Sequence, residues 1–145
     1  MEKEFTEEQL VQMAQQQEAA LMGRREILER LAHLMKENVE AAEALEELRN
    51  ANGKILVKLG SGVLVEVEAG AVKKCKRTFS DSGFVEEDSE KTIEWLKKGR
   101  EKIKKQLDRT QQEISQINSN LNDVISILRQ IESEKRKLMQ TTISK

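Results

Sequence analysis

The sequence predicts a mainly α protein, a long antiparallel two-helix coiled coil with two β-hairpins inserted between the helices. Three observations carry that expectation. The 145 residues include three Phe, one Trp and no Tyr against 35% charged residues, so the bulky side chains that fill a globular core are nearly missing. Proline is absent, which leaves long helices free of a residue that removes a hydrogen bond and clashes with the preceding turn. Two apolar seams at alternating steps of three and four residues flank a Val-rich segment with strand-like alternation.

The first helix is expected over residues 5–50. Thr6 and Gln9 form a capping box, each side chain able to bond the other's backbone N–H. Its seam runs Leu10, Met13, Gln17, Ala20, Arg24, Ile27, Leu31, Leu34, Asn38, Ala41, Leu45 and Leu48. The second helix, over residues 88–140, starts from Asp88 or Ser89 as N-cap. Its seam is Ile93, Leu96, Arg100, Ile103, Leu107, Thr110, Ile114, Ile117, Leu121, Val124, Leu128, Ile131, Lys135 and Leu138, aliphatic throughout except for Arg100, Thr110 and Lys135. An unbroken register of that length is the signature of a coiled coil.

Residues 54–86 follow a different rule. Residues 54–59 and 63–68 alternate around Gly60-Ser61-Gly62, a turn that tolerates positive φ, and read as a hairpin. A second, weaker hairpin is expected from residues 72–79 and 84–86 around Ser80-Asp81-Ser82-Gly83. With the chain reversing there, helices of about 45 and 50 residues, each roughly 70 Å long, pair antiparallel. The whole of residues 1–145 then forms a single domain. Two isolated hairpins cannot bury a face by themselves, and their open edges invite other chains. Ile55, Val57, Leu59, Gly60, Gly62, Val63, Val65, Val67, Phe79, Phe84 and Val85 are therefore the candidate subunit-assembly residues.

Composition excludes several classes. With 25 basic and 26 acidic side chains, the chain carries no net field for nucleic acid. No apolar run approaches the ~20 residues of a membrane span, and MEKEFTEEQL has no signal-peptide shape. One cysteine, Cys75, cannot form an internal disulfide, which fits a reducing, cytoplasmic setting. His33 lies between seam positions, toward solvent, with no second ligand near it for a metal. Gly60-Ser61-Gly62 leads into a strand, not into the helix a nucleotide loop requires. No catalytic, cofactor or metal residue emerges, and the chain reads as a non-enzyme without cofactors. The basic run Lys73-Lys74-Cys75-Lys76-Arg77 reads as a solvated strand face.

Ile55-Leu56-Val57-Lys58-Leu59-Gly60-Ser61-Gly62-Val63, then Gly83-Phe84-Val85-Glu86 before the helix, then Ile93-Glu94-Trp95-Leu96-Lys97-Lys98, resemble prefoldin, in particular its alpha-type subunit with two hairpins. The sequence departs from the family pattern at Lys58, where proline is usual, in its basic second hairpin, and in the Ser80–Gly83 turn. The resemblance implies a hexamer of two alpha-type and four beta-type subunits, joined through a β-barrel platform from which coiled coils project. It implies an ATP-independent holdase whose helical tips take non-native polypeptides and pass them to a cytosolic chaperonin. Client-binding candidates are then Phe5, Leu10, Val11 and Met13 on the first helix and Leu138, Met139 and Ile143 on the second. Methionine suits such a surface because its thioether adapts to irregular shapes. Leu10, Met13 and Leu138 also satisfy the seam spacing, so an ordinary packing role stands beside the client role. The competing reading is a coiled-coil scaffold or adaptor without chaperone activity.

Overall fold

The structure is a computed structural model and describes residues 4–143. In chain order it holds α1 (Glu7–Arg49), β1 (Gly53–Gly60), β2 (Val63–Ala69), β3 (Lys74–Ser80), β4 (Gly83–Asp88) and α2 (Ser89–Ile143). Two helices enclosing four strands in two antiparallel hairpins is the architecture expected above. The chain divides into two compact units: a helical unit, Met1–Leu31 with Gln106–Lys145, and a hairpin unit, Ala32–Lys105.

In the helical unit α1 opens with the expected capping box. Thr6 N–H donates to Gln9 Oε1 at 2.9 Å, and Gln9 N–H donates to Thr6 Oγ1 at 3.2 Å. Two amides that begin the helix without intrahelical partners are thereby satisfied. Leu10, Leu21 and Leu31 are buried on α1, and Leu121 and Val124 on α2. Arg24 Nε reaches Glu113 Oε2 at 2.8 Å, and Lys135 pairs with Glu7, so the helices run antiparallel here. These ion pairs are solvent-exposed and contribute about 0–1 kcal/mol each. The apolar seam holds the pair together, and the charges select its orientation.

The α2 seam follows the heptad reading. Every seam position from Ile93 to Ile131 is buried or half-buried, and Lys135 and Leu138 are exposed. On α1 the order of steps differs. Leu10, Met13, Gln17, Ile27, Leu31, Asn38, Leu45 and Leu48 are buried or half-buried as expected, but Arg24 is exposed, and at residues 20, 34 and 41 the inward residue lies one later. Leu21, Leu28, Met35 and Ala42 turn inward, while Ala20, Ala41 and Leu34, the last 43% exposed, turn out. The cause is visible in the sequence. At each of these points two apolar residues stand side by side, so four-then-three spacing is as apolar as three-then-four. The helix partner, not residue type, decides which doublet member is buried.

In the hairpin unit, Asn38 and Arg100 meet as polar seam residues. Asn38 Nδ2 donates to the Leu96 carbonyl at 2.9 Å, and Arg100 Nε donates to Asn38 Oδ1 at 3.2 Å. A polar pair in an apolar seam is satisfied in one register only, which makes it a register device. The first hairpin pairs Ile55 with Val67 and Val57 with Val65, and turns at Ser61 (φ 51°) and Gly62 (φ 78°). Positive φ at both loop positions matches the twist of a two-residue hairpin.

The second hairpin begins at Lys74 instead of residue 72. Val72 N–H is committed to the Leu48 carbonyl at the end of α1 (3.0 Å), and the Lys73 carbonyl accepts from Ser89 N–H at 2.9 Å. Neither residue is free to join a ladder. Strand β4 extends to Asp88, beyond the expected residue 86, because Lys76 faces Glu86 and Lys74 faces Asp88 across the pair, an opposite-charge arrangement that favours pairing.

Candidate assembly and client-binding surfaces

The hairpins form two separate two-stranded sheets, β1-β2 and β3-β4. Alternation sends Ile55, Val57, Leu59, Val63, Val65 and Val67 to one face of the first hairpin. Apart from half-buried Ile55, all of these are exposed. The opposite face also carries Leu56 and Leu64, both exposed and missing from the expected assembly set. They sit diagonally, across from Glu66 and Lys58, and in the sequence each stands between two members of the expected set, which alternation sends to the other face. The hairpin is thus aliphatic and uncovered on both faces. Gly60 and Gly62 set its turn through positive φ.

Phe79, Phe84 and Val85 of the second hairpin are likewise exposed. The Phe79 ring lies over Gly83, so that a Cβ built there would meet Phe79 Cζ at 2.7 Å. Lys76 Nζ stands 5.3 Å from the Phe84 ring centroid. Cys75 is half-buried, whereas Phe79 is exposed.

Unlike the first, the second hairpin is fastened to a helix. Arg77 Nε donates to Glu87 Oε1 at 2.7 Å, Thr92 Oγ1 of α2 donates to the same oxygen at 3.0 Å, and the guanidinium lies 4.5 Å over the Trp95 ring. The Arg77 hydrogen bond holds the Glu87 carboxyl below the usual carboxylate range; burial opposes it, and the Thr92 hydrogen bond with the charges of Arg77 and Lys91 adds to the lowering. Ser89, 3% exposed, offers its hydroxyl to the Val72 and Lys73 carbonyls at 3.1 and 3.2 Å. Sequence reasoning took Ser89 only as a possible cap and missed this clamp. It depends on strand register and on contacts 5 to 18 residues apart; the lone Trp following a basic strand was the available signal.

The client candidates divide. Leu10 is 2% exposed and packs as a seam residue, which corrects its placement on an accessible surface; its seam position brings it against α2. Met13 is half-buried. Phe5 and Val11 are exposed, and Leu138, Met139 and Ile143 are 69%, 67% and 83% exposed. Every described residue of α2 past Ile131 is exposed. Met139 and Ile143, four apart, share one helix face. His33 is exposed and 3.1 Å from Glu37. Among the described residues, no group of three or more His, Cys, Asp or Glu could hold a metal ion. None of the described helices is long and apolar enough to cross a membrane.

Comparison with known proteins accords with this architecture. No individual curated protein matches the chain. A cryo-EM structure of filamentous PFD from Methanocaldococcus jannaschii is similar at a TM-score of 0.63 and 18% identity, covering 79% of this chain and 97% of that one, which shows a shared fold. The family model for the prefoldin subunit matches residues 14–134. Spanning both hairpins and most of both helices' seams, that match shows that the chain belongs to the prefoldin family.

Proposed function

We propose that the chain is an alpha-type subunit of an ATP-independent holdase. In this reading its hairpins join beta-type subunits in a hexamer of two alpha and four beta. The exposed turns of the helical unit hold non-native polypeptides in the cytoplasm for delivery to a chaperonin. The observation that carries the reading is the coexistence of two uncovered aliphatic surfaces on a chain of this family. The hairpin residues cluster on rigid strands and suit a permanent interface. Leu138, Met139 and Ile143 lie on exposed helix among polar side chains and suit weak, repeated contacts. Several such sites in one complex raise affinity by avidity without any tight single site. Two hairpins favour the alpha type over the beta type. Nothing in this mechanism calls for catalysis or a cofactor.

The test is dilution of a chemically unfolded client into nucleotide-free buffer, with and without the assembled complex. Aggregation should be suppressed, and the Leu138→Ser/Met139→Ser/Ile143→Ser chain should assemble normally yet lose most of the suppression. Val65→Pro should prevent assembly while the helices persist, because proline removes a ladder hydrogen bond. A correctly assembled complex that leaves aggregation unchanged would support the scaffold reading instead.

A further inference from the structure

Where it leaves the hairpins, α2 carries a basic ridge that neither assembly nor client holding uses. Lys91, Trp95, Lys98, Lys102 and Lys105 follow one another at alternating steps of four and three residues. Their register is displaced by two residues from the seam of Ile93, Leu96, Arg100 and Ile103. That seam meets α1 through Asn38, so the ridge lines the side of α2 turned away from α1. All five residues are exposed, Trp95 by 47%. At 1.5 Å per residue the ridge runs for about 21 Å, and it lies wholly within the hairpin unit.

Two features set the ridge apart from an ordinary solvated face. Glu94 and Glu101 stand four residues before Lys98 and Lys105, the spacing that favours a pair within a helix. Yet none of the four lysines forms an ion pair among the described residues. Lys36, Arg109 and Arg136, by contrast, each find a carboxylate four residues away. The second feature is Trp95, set among these free cations. The Arg77 guanidinium lies 4.5 Å over its ring and is itself tied to Glu87, so the indole is held in place with nearly half its surface in solvent. Tryptophan anchors many protein interfaces, and fixed charges around such an anchor select the partner.

We propose that this ridge binds a helix of a separate protein whose acidic residues recur at the same heptad spacing. The sign of the ridge calls for carboxylates or phosphates, and its flank decides between them. Glu94 and Glu101 form an acidic row directly beside Lys91, Lys98 and Lys105. A nucleic acid or an anionic membrane is negative throughout and meets that row with repulsion. A polypeptide helix sets carboxylates against the lysines, bases against Glu94 and Glu101, and a small side chain against Trp95. A shared 3.5-residue repeat keeps the rows in step along the contact. The α1 helix of a second copy is a poorer match. Aligning its Glu40 and Glu47 with Lys98 and Lys91 brings its Glu43 against Glu94, acid on acid. Exposed pairs of this kind steer encounter and are screened by salt. Binding here does not depend on holdase activity, and no client enters its test.

Trp95 is the only tryptophan of the chain and reports occupancy directly. The probe is a fluorescein-labelled, Trp-free helical peptide of about 21 residues, with Glu at alternating three- and four-residue steps, Lys in the adjoining row and Ala elsewhere. Titrated against the full-length chain at low salt, it should shift Trp95 emission and gain anisotropy saturably, and added salt should weaken it. A scrambled peptide of the same composition should bind about tenfold more weakly or worse. The variant Glu94→Lys/Lys98→Glu/Glu101→Lys/Lys102→Glu relocates the charges at constant composition and net charge. It should keep its helix content by circular dichroism and lose affinity about tenfold. An absent shift, equal binding of the scrambled peptide, or full affinity in the relocated variant would overturn the proposal. So would tighter binding of a single-stranded oligonucleotide or of phosphatidylserine vesicles, which would assign the ridge to a polyanion. Self-association of the wild-type chain that the relocation abolishes would overturn it too, by assigning the ridge to a second copy.

Discussion

Removing the Asn38 side chain should destabilise the helix pairing by about 1–2 kcal/mol. The carboxamide makes two bonds, Nδ2 to the Leu96 carbonyl at 2.9 Å and Oδ1 from Arg100 Nε at 3.2 Å. Each such bond is worth roughly 0.5–1.5 kcal/mol net, and somewhat more where one partner is charged. The site is half-buried, so water takes over part of what Asn38→Ala gives up. The Leu96 carbonyl also keeps its helical partner. Those offsets bring the expected loss to the lower half of the sum, a fall of about 3–6 °C in Tm for a chain of this size. Denaturation followed by far-UV circular dichroism at fixed protein concentration measures it, because assembly makes Tm concentration-dependent. A cycle with Arg100→Ala isolates the coupling, expected at about 0.5–1 kcal/mol. Replacing both residues by Leu should cost little or even stabilise, since no polar group is then left without its partner. An Asn38→Ala midpoint equal to wild type, with no coupling to Arg100, would refute the claim that this pair fixes the register.

Three further outcomes follow from the hairpin unit and the α1 seam. Gly83→Ala should displace the Phe79 ring, against which a Cβ would stand at 2.7 Å, and weaken subunit assembly measured by sedimentation more than it weakens helix content. Glu87 has its pKa lowered in the folded chain, so its clamp contributes above the ordinary glutamate range and is lost as pH falls through the lower folded value. The sole tryptophan, Trp95, stacked under Arg77, should report that loss in an acid fluorescence titration, and Glu87→Gln should abolish the step. Leu21→Ala, at a position buried by the shifted α1 register, should cost about 2–4 kcal/mol, whereas Leu34→Ala, exposed, should cost less than about 1 kcal/mol; equal costs in urea denaturation would contradict that register.

Much of the architecture was legible because its signals are local or periodic. The α2 seam offers a single aliphatic residue at most heptad points, with doublets only at Val124-Ile125 and Ile127-Leu128, so the long run fixes one stripe. The α1 seam offers doublets, Ala20-Leu21, Ile27-Leu28, Leu34-Met35 and Ala41-Ala42, and periodicity cannot choose within a doublet. Thr6 and Gln9 announced their cap three residues apart. The clamp of Arg77, Glu87, Thr92 and Trp95 requires knowing which strand residues oppose each other, and the Ser89 latch requires knowing where Val72 and Lys73 lie. Neither is encoded in a local pattern. Leu10 fitted both the seam and the exposed-end readings, and only the packing of α2 over it separates them.

The most direct measurement places a photo-crosslinking residue at Met139 in one sample of the assembled complex and at Leu34 in another, with an unfolded client present and no nucleotide. Leu34 serves as the comparison because it is also apolar and exposed but belongs to the other compact unit. Client should be captured at Met139 and scarcely at Leu34. Equal capture at both positions, or none at either, would contradict client holding by the exposed end of α2.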